Sequence, residues 1–137
     1  MIKQFYKHVL PQKGVYCLGE IDPQTKRTKH KFVETIDELV KAIESRKADT
    51  NVFVAMSSFK GYSRKADEAQ SVRSFFVDLD VGEGKGYASK DAALKALEKF
   101  TVSQELPPPI KVDSGTGIHA YWIFDRDVPA AEWKLYA

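Results

Sequence analysis

Two groups of residues in this chain have types and spacings that suit phosphate chemistry. The first is Asp78-Leu79-Asp80, at the end of the apolar run Phe75-Phe76-Val77. Strand side chains alternate between faces, so residues 78 and 80 project from the same side. Two carboxylates held that close repel each other unless something cationic sits between them. A hard divalent cation does so, and Mg²⁺ usually takes one or two carboxylates plus substrate phosphates. A plain strand end, where two acids simply reach water, would have the same sequence. The second group, Ser114-Gly115-Thr116-Gly117-Ile118-His119, begins 34 residues after Asp80. Glycines flanking a hydroxyl residue let backbone amides approach an anion closely. His119 shares a strand face with Tyr121 and Ile123 and can donate to a phosphate oxygen in either protonation state. A glycine-rich hairpin with a structural, hydrogen-bonded histidine would look alike.

A third signal is basic. Lys60, Arg64, Lys65 and Arg73 precede the acidic strand, with Tyr62 among them, and Lys111 precedes the glycine turn. Basic residues mixed with aromatics suit phosphate contact and base stacking. A solvated lysine-rich surface has the same composition. Other arrangements are excluded or weaker. Glu83-Gly84-Lys85-Gly86 lacks the G-x-x-x-x-G-K-[ST] spacing of a phosphate loop. Cys17 is the only cysteine, so no intrachain disulfide and no cysteine zinc cluster can form, which points to a reducing cytoplasm. Cys17 reads as a small buried hydrophobe rather than a nucleophile. His8 and His30 have no ligand-like spacing to acids and read as surface residues.

The elements that must position these groups follow from periodicity and punctuation. Residues 14–21 read as a strand, followed by the polar turn Asp22 to Arg27 and a returning strand near His30 to Val33. Thr35-Ile36-Asp37-Glu38 is a capping box, and Ile36, Leu39, Val40 and Ile43 then recur at helical spacing. Asn51 to Met56 is a β-rich run. Ala66, Ala69 and Val72 suit a short helix. Ser74 to Asp80 reads as a buried strand, and Val81 to Gly86 as a loop. Ser89 caps a predicted helix to Phe100 that buries Ala93, Leu94, Leu97 and Phe100. Pro107 to Pro109 force an extended segment. Ile110 to Asp113 and Ile118 to Phe124 are strands joined by a hairpin-like turn. Phe124 to Pro129 reads as the turn after the last strand, and Pro129 opens a final helix still running at Ala137.

Composition sets the outer bounds. The chain has 137 residues, 43% of them apolar and 29% charged, with net charge +2. That suits one globular domain with a real core and argues against a disordered or fibrous chain. No apolar run is long enough for a membrane span or a signal peptide. The small positive charge permits a polyanionic partner without arguing for one.

Taken together, the motifs are more specific than their parts. D-x-D alone also occurs in phosphatases of the haloacid-dehalogenase type, in glycosyltransferases and in calcium loops. An apolar strand ending in Asp78-Leu79-Asp80, then a helix, a proline-rich segment and a strand pair carrying Ser114-Gly115-Thr116-Gly117-Ile118-His119-Ala120-Tyr121-Trp122, resembles the archaeo-eukaryotic primase superfamily. It looks most like the phage and plasmid primase-polymerases. The resemblance covers roughly residues 50 to 135, with residues 1–49 as the family's N-terminal α/β part and 50–137 as the motif-bearing segment. It implies an α+β fold: a mixed, mostly antiparallel central sheet with flanking helices on one face, built as a recognition-motif-like half packed on an N-terminal α/β module.

The resemblance also implies roles. Asp78 and Asp80 would bind the divalent metals, Mg²⁺ or Mn²⁺. His119 would contact the triphosphate of the incoming nucleotide, in a pocket shaped by Ser114, Gly115 and Gly117. Arg64 and Lys65 sit where these enzymes often carry basic residues, although no strict motif fixes them. The expected function is template-directed nucleotidyl transfer in phage or plasmid DNA replication. Its partners would be nucleoside triphosphates, a single-stranded DNA template, and a following helicase region or replisome protein. The location would be the cytoplasm of a bacterial or phage-infected cell. The family's third motif supplies another carboxylate on a later strand. Asp125, Asp127 and Glu132 are the only acids left in that direction, and none reads as a substitute. The chain is therefore expected to be the N-terminal part of a catalytic core lacking its third metal ligand. Two alternatives stand beside this reading: a non-catalytic replication-initiator or single-strand-binding module, and a haloacid-dehalogenase-type phosphatase with Asp78 as nucleophile and Asp80 as general acid.

Overall fold

The computed structural model describes residues 2–47 and 49–137. In chain order the elements are α1 (Ile2–Val9), β1 (Tyr16–Ile21), β2 (Thr28–Val33), α2 (Ile36–Glu44), β3 (Asn51–Val54), β4 (Ser57–Phe59), a single 3₁₀ turn (Ala66–Glu68), β5 (Ala69–Asp80), α3 (Lys90–Ser103), β6 (Ile110–Asp113), β7 (Gly117–Pro129) and α4 (Ala130–Tyr136). The fold is α+β. Its strands form two antiparallel sheets, ordered β2-β1-β3 and β4-β5-β7-β6, where one central sheet was expected. No helix among the described residues is long and apolar enough to cross a membrane.

The chain divides into two compact units, residues 1–73 with 124–137, and residues 74–123. In the first unit β1 is the central strand. It pairs with β2 from Tyr16↔Val33 to Ile21↔Thr28 and with β3 from Leu18↔Val54 to Ile21↔Asn51. Thr35 caps α2: its hydroxyl oxygen accepts from the Glu38 amide at 3.1 Å, and the Glu38 carboxylate reaches back to the Thr35 hydroxyl at 3.0 Å. Helix α2 then buries Leu39, Val40, Ala42 and Ile43 against β1, β2 and α1. Cys17 is fully buried, as its sequence context suggested.

Two expectations fail in this unit. The predicted helix through Ala66, Ala69 and Val72 is only the 3₁₀ turn. From Ala69 the chain is already strand, with Phe59↔Ala69 and Ser57↔Val72 in register with β4. Isolated helices this short are marginal, and a neighbouring strand satisfies the same amides. The predicted turn at Phe124 to Pro129 is a continuation of β7. Both Asp127 carboxylate oxygens accept from the Gln12 amide (3.1 and 3.0 Å), and Oδ1 also accepts from Arg73 at 2.8 Å. A side chain that would otherwise favour a turn by bonding its own backbone is thus satisfied in an extended chain. Helix α4 follows directly, with Pro129 at its N-cap.

The second unit holds the end of β5, α3, β6 and the start of β7. Ser89 caps α3 by accepting from the Ala92 amide at 3.1 Å. Leu97, Ala120 and Trp122 form the buried centre, with Phe75, Leu79 and Leu106 packed against it. The Trp122 indole donates to the Pro107 carbonyl at 2.9 Å, which pins the proline-rich segment to the sheet. Here too two expectations are corrected. Helix α3 runs to Ser103, and Phe100 is not buried: it is 46% exposed and meets the Trp122 ring in a T-shaped contact. The strand ending in Asp80 is not buried on both faces either, since Phe76 is 41% exposed. Within this unit α3 covers the sheet face that carries Phe75 and Leu79, and an antiparallel sheet can leave its other face wet.

Candidate functional site

The less covered face of the second unit's sheet carries the residues singled out by chemistry. Strands β5 and β7 are neighbours, so the two motifs lie side by side. Asp78 Oδ1 is 3.3 Å from His119 Nε2, with the two side chains 63% and 35% exposed. The other ring nitrogen, Nδ1, lies 3.4 Å from the Tyr121 hydroxyl. With its proton on Nε2 the ring would donate to Asp78 and accept from Tyr121 at Nδ1. Phe76 continues the same face and meets the Tyr121 ring at 6.4 Å between centroids. Strand alternation puts Asp80 on the Asp78 side.

The glycine turn is held beside the strand end by two contacts. Val81 donates its amide to the Thr116 carbonyl at 3.1 Å. A Cβ at position 117 would run into the Leu79 carbonyl oxygen, so only glycine lets the hairpin close on β5. The turn is a two-residue hairpin closed by Ser114 N–H donating to Gly117 O at 3.0 Å. Of its two central residues only Gly115 has positive φ, +90°, the pattern of a type II′ turn.

Asp113, on the strand before the glycine turn, braces that turn, a role the sequence reading passed over. Its carboxylate accepts from Lys90 Nζ (2.9 and 2.8 Å) and from the Gly115 amide at 2.8 Å. The Lys90 ammonium first, and the Gly115 amide second, hold the Asp113 carboxyl below the ordinary aspartate value. An aspartate one residue before a glycine turn is the signal that could have found it. The arrangement occupies the Ser114 and Gly115 amides within the hairpin. What Gly115 and Gly117 contribute is therefore backbone shape. The side chains of His119 and Ser114 carry donors that could reach an anion.

Asp78, Asp80, Ser114, Gly115, Gly117 and His119 all fall in the second unit, whereas Arg64 and Lys65 fall in the first. Arg64 there meets the His30 Nε2 at 2.7 Å and lies over the Phe53 ring. Asp127, downstream of His119, is committed to Arg73 and Gln12. Among the described residues no group of three or more His, Cys, Asp or Glu side chains is placed to hold a metal ion. Asp78 and Asp80 nonetheless form a two-carboxylate, all-oxygen donor set. That set fits a hard divalent cation that completes its shell from phosphate and water.

No protein-family model, no curated protein and no solved structure matches this chain.

Proposed function

We propose that this chain carries part of the centre for template-directed nucleotidyl transfer, of the archaeo-eukaryotic primase type and most like the phage and plasmid primase-polymerases. The observation that carries the reading is the meeting of the two motifs: Asp78 and His119, far apart in sequence, lie 3.3 Å apart on one sheet face. In the reaction a 3′-hydroxyl attacks the α-phosphate of a nucleoside triphosphate in line and pyrophosphate leaves. Mg²⁺ or Mn²⁺ held by Asp78 and Asp80 would supply charge neutralisation on the reacting oxygens. His119 offers its Nε2–H to a triphosphate oxygen, and the Tyr121 hydroxyl steadies the ring from the other side. Gly117 keeps Ser114 and the hairpin against the strand that bears the acids. No protein nucleophile is needed, since the chemistry is mostly positioning and electrostatics.

The test is binding of a labelled nucleoside triphosphate with and without Mn²⁺, followed by incorporation on a primed template. Manganese-dependent binding that disappears in Asp78→Ala and weakens in His119→Ala is the expected result. Equal binding by the wild type and Asp78→Ala would sink the metal assignment. A second reading is a single-strand-binding module without catalysis; among the described residues Asp78 and Asp80 are joined by no third acid. Binding of single-stranded DNA with no metal-dependent triphosphate binding would select it. The phosphatase reading leaves the Asp78–His119 contact without a role; release of phosphate from a simple aryl ester would revive it.

A further inference from the structure

We propose that the segment Lys60 to Lys65, together with the sheet face beneath it, forms a stacking platform for single-stranded nucleic acid. In the first unit, register places Phe32 opposite Cys17, and His30 and Phe53 on either side of Gly19. Gly19 has no side chain, and the Phe53 ring fills the space a Cβ there would need. The segment lies over these rings by two contacts. Tyr62 stacks on Phe32, with centroids 5.8 Å apart and planes 9° from parallel. The Arg64 guanidinium lies over Phe53, 5.5 Å from its centroid, and meets His30 Nε2 at 2.7 Å.

Each contact uses one face of a flat group and leaves the other to solvent. Tyr62 is 66% exposed and Arg64 is exposed. A strap serving only to cover the sheet would have buried its aromatic ring. The charge is complementary to a phosphate backbone: Lys60, Arg64 and Lys65 fall within six residues with no acid among them. Among the described residues none of the three is in an ion pair with a carboxylate. His30 carries no negative charge, so its contact with Arg64 leaves the guanidinium charge uncancelled. A pre-stacked ring beside uncancelled cations is the chemistry that binds bases and backbone together, with little dependence on sequence. The platform would hold the strand that acts as template in the proposed function. Its test needs neither metal nor triphosphate, so the two readings fail separately.

Fluorescence anisotropy of labelled oligo-dT and oligo-U with the full chain, over a range of salt, tests it. Tyr62→Ala should weaken binding about five- to a hundredfold and leave the salt dependence unchanged. Tyr62→Phe keeps the stack and should bind as the wild type does. Arg64→Gln should lower the slope of log K against log salt by about 0.7, the loss of one phosphate contact. Binding of either oligonucleotide with these effects supports the platform. Wild-type affinity in both Tyr62→Ala and Arg64→Gln, or equally effective competition by polyglutamate or duplex DNA, would overturn it.

Discussion

Strands β5 and β7 are joined twice by an acid on one and a basic side chain on the other, and the two contacts differ in their surroundings. Arg73 and Asp127 meet at 2.8 Å, with side chains only 14% and 23% exposed, and the Gln12 amide takes up further acceptor capacity of the carboxylate. Asp78 and His119 meet at 3.3 Å, with side chains 63% and 35% exposed. The first pair is short, shielded and saturated, so its work is to keep β7 extended past Ile123. The second is long, wet and unsaturated. Either member can exchange its partner for an incoming ligand at little cost, because even a fully charged exposed pair contributes only about 0–1 kcal/mol. An acid–base contact that holds a strand and one that can take a ligand are thus told apart by solvent and saturation.

Four experiments probe these contacts and the turn beside them. The largest effect should come from Asp78→Asn or Asp80→Asn. Metal-dependent nucleotide incorporation by a protein carrying all three motifs should fall about a hundredfold or more, with urea-unfolding stability of this chain within about 0.5 kcal/mol of wild type. A large loss of stability in Asp78→Asn would mean the pair is structural after all. Next is Gly117→Ala, whose Cβ meets the Leu79 carbonyl. It should cost about 1–3 kcal/mol in urea titration and weaken triphosphate binding in parallel. Arg73→Met should cost about 1–2 kcal/mol, because Asp127 keeps its charge but loses its cation in a shielded place. Triphosphate affinity per folded molecule should not change; if it fell with stability, the two contacts would not be separable.

The smallest effect is one of pH. Asp113 is held below the ordinary aspartate value by Lys90 and the Gly115 amide, so the folded state gives up this proton more readily than the unfolded chain. Its stabilisation of the turn is complete above the ordinary aspartate value, and is lost as pH falls through the lowered folded value. The Gly115 amide resonance, followed by NMR in acid, should move with that single titration and should not move in Asp113→Asn.

Local chemistry made much of this legible. The Thr35 and Ser89 caps, the strand ending in Asp78-Leu79-Asp80, and the hairpin at Ser114 to Gly117 all appear where their residues placed them. Each depends on groups only a few positions apart. The errors came where a distant partner decided the outcome. Asp125-Arg126-Asp127 has the composition of a turn, but Arg73 and Gln12 hold it straight. Ala66 to Val72 has helical spacing, but β4 supplies a ladder. Phe76 has the character of a core residue, yet it sits on the face that α3 does not cover.

What the sequence alone determined is therefore the inventory and its short-range geometry: two carboxylates on one strand face, a glycine turn, and a histidine two residues beyond it. Those follow from strand alternation and turn chemistry, which act over a few residues. Only the tertiary structure decided that Asp78 meets His119, that Gly117 must be glycine, that Asp113 holds the turn, and that Tyr62 and Arg64 rest on Phe32 and Phe53. Strand order and register set those contacts, and both depend on pairings between distant segments that no local pattern encodes.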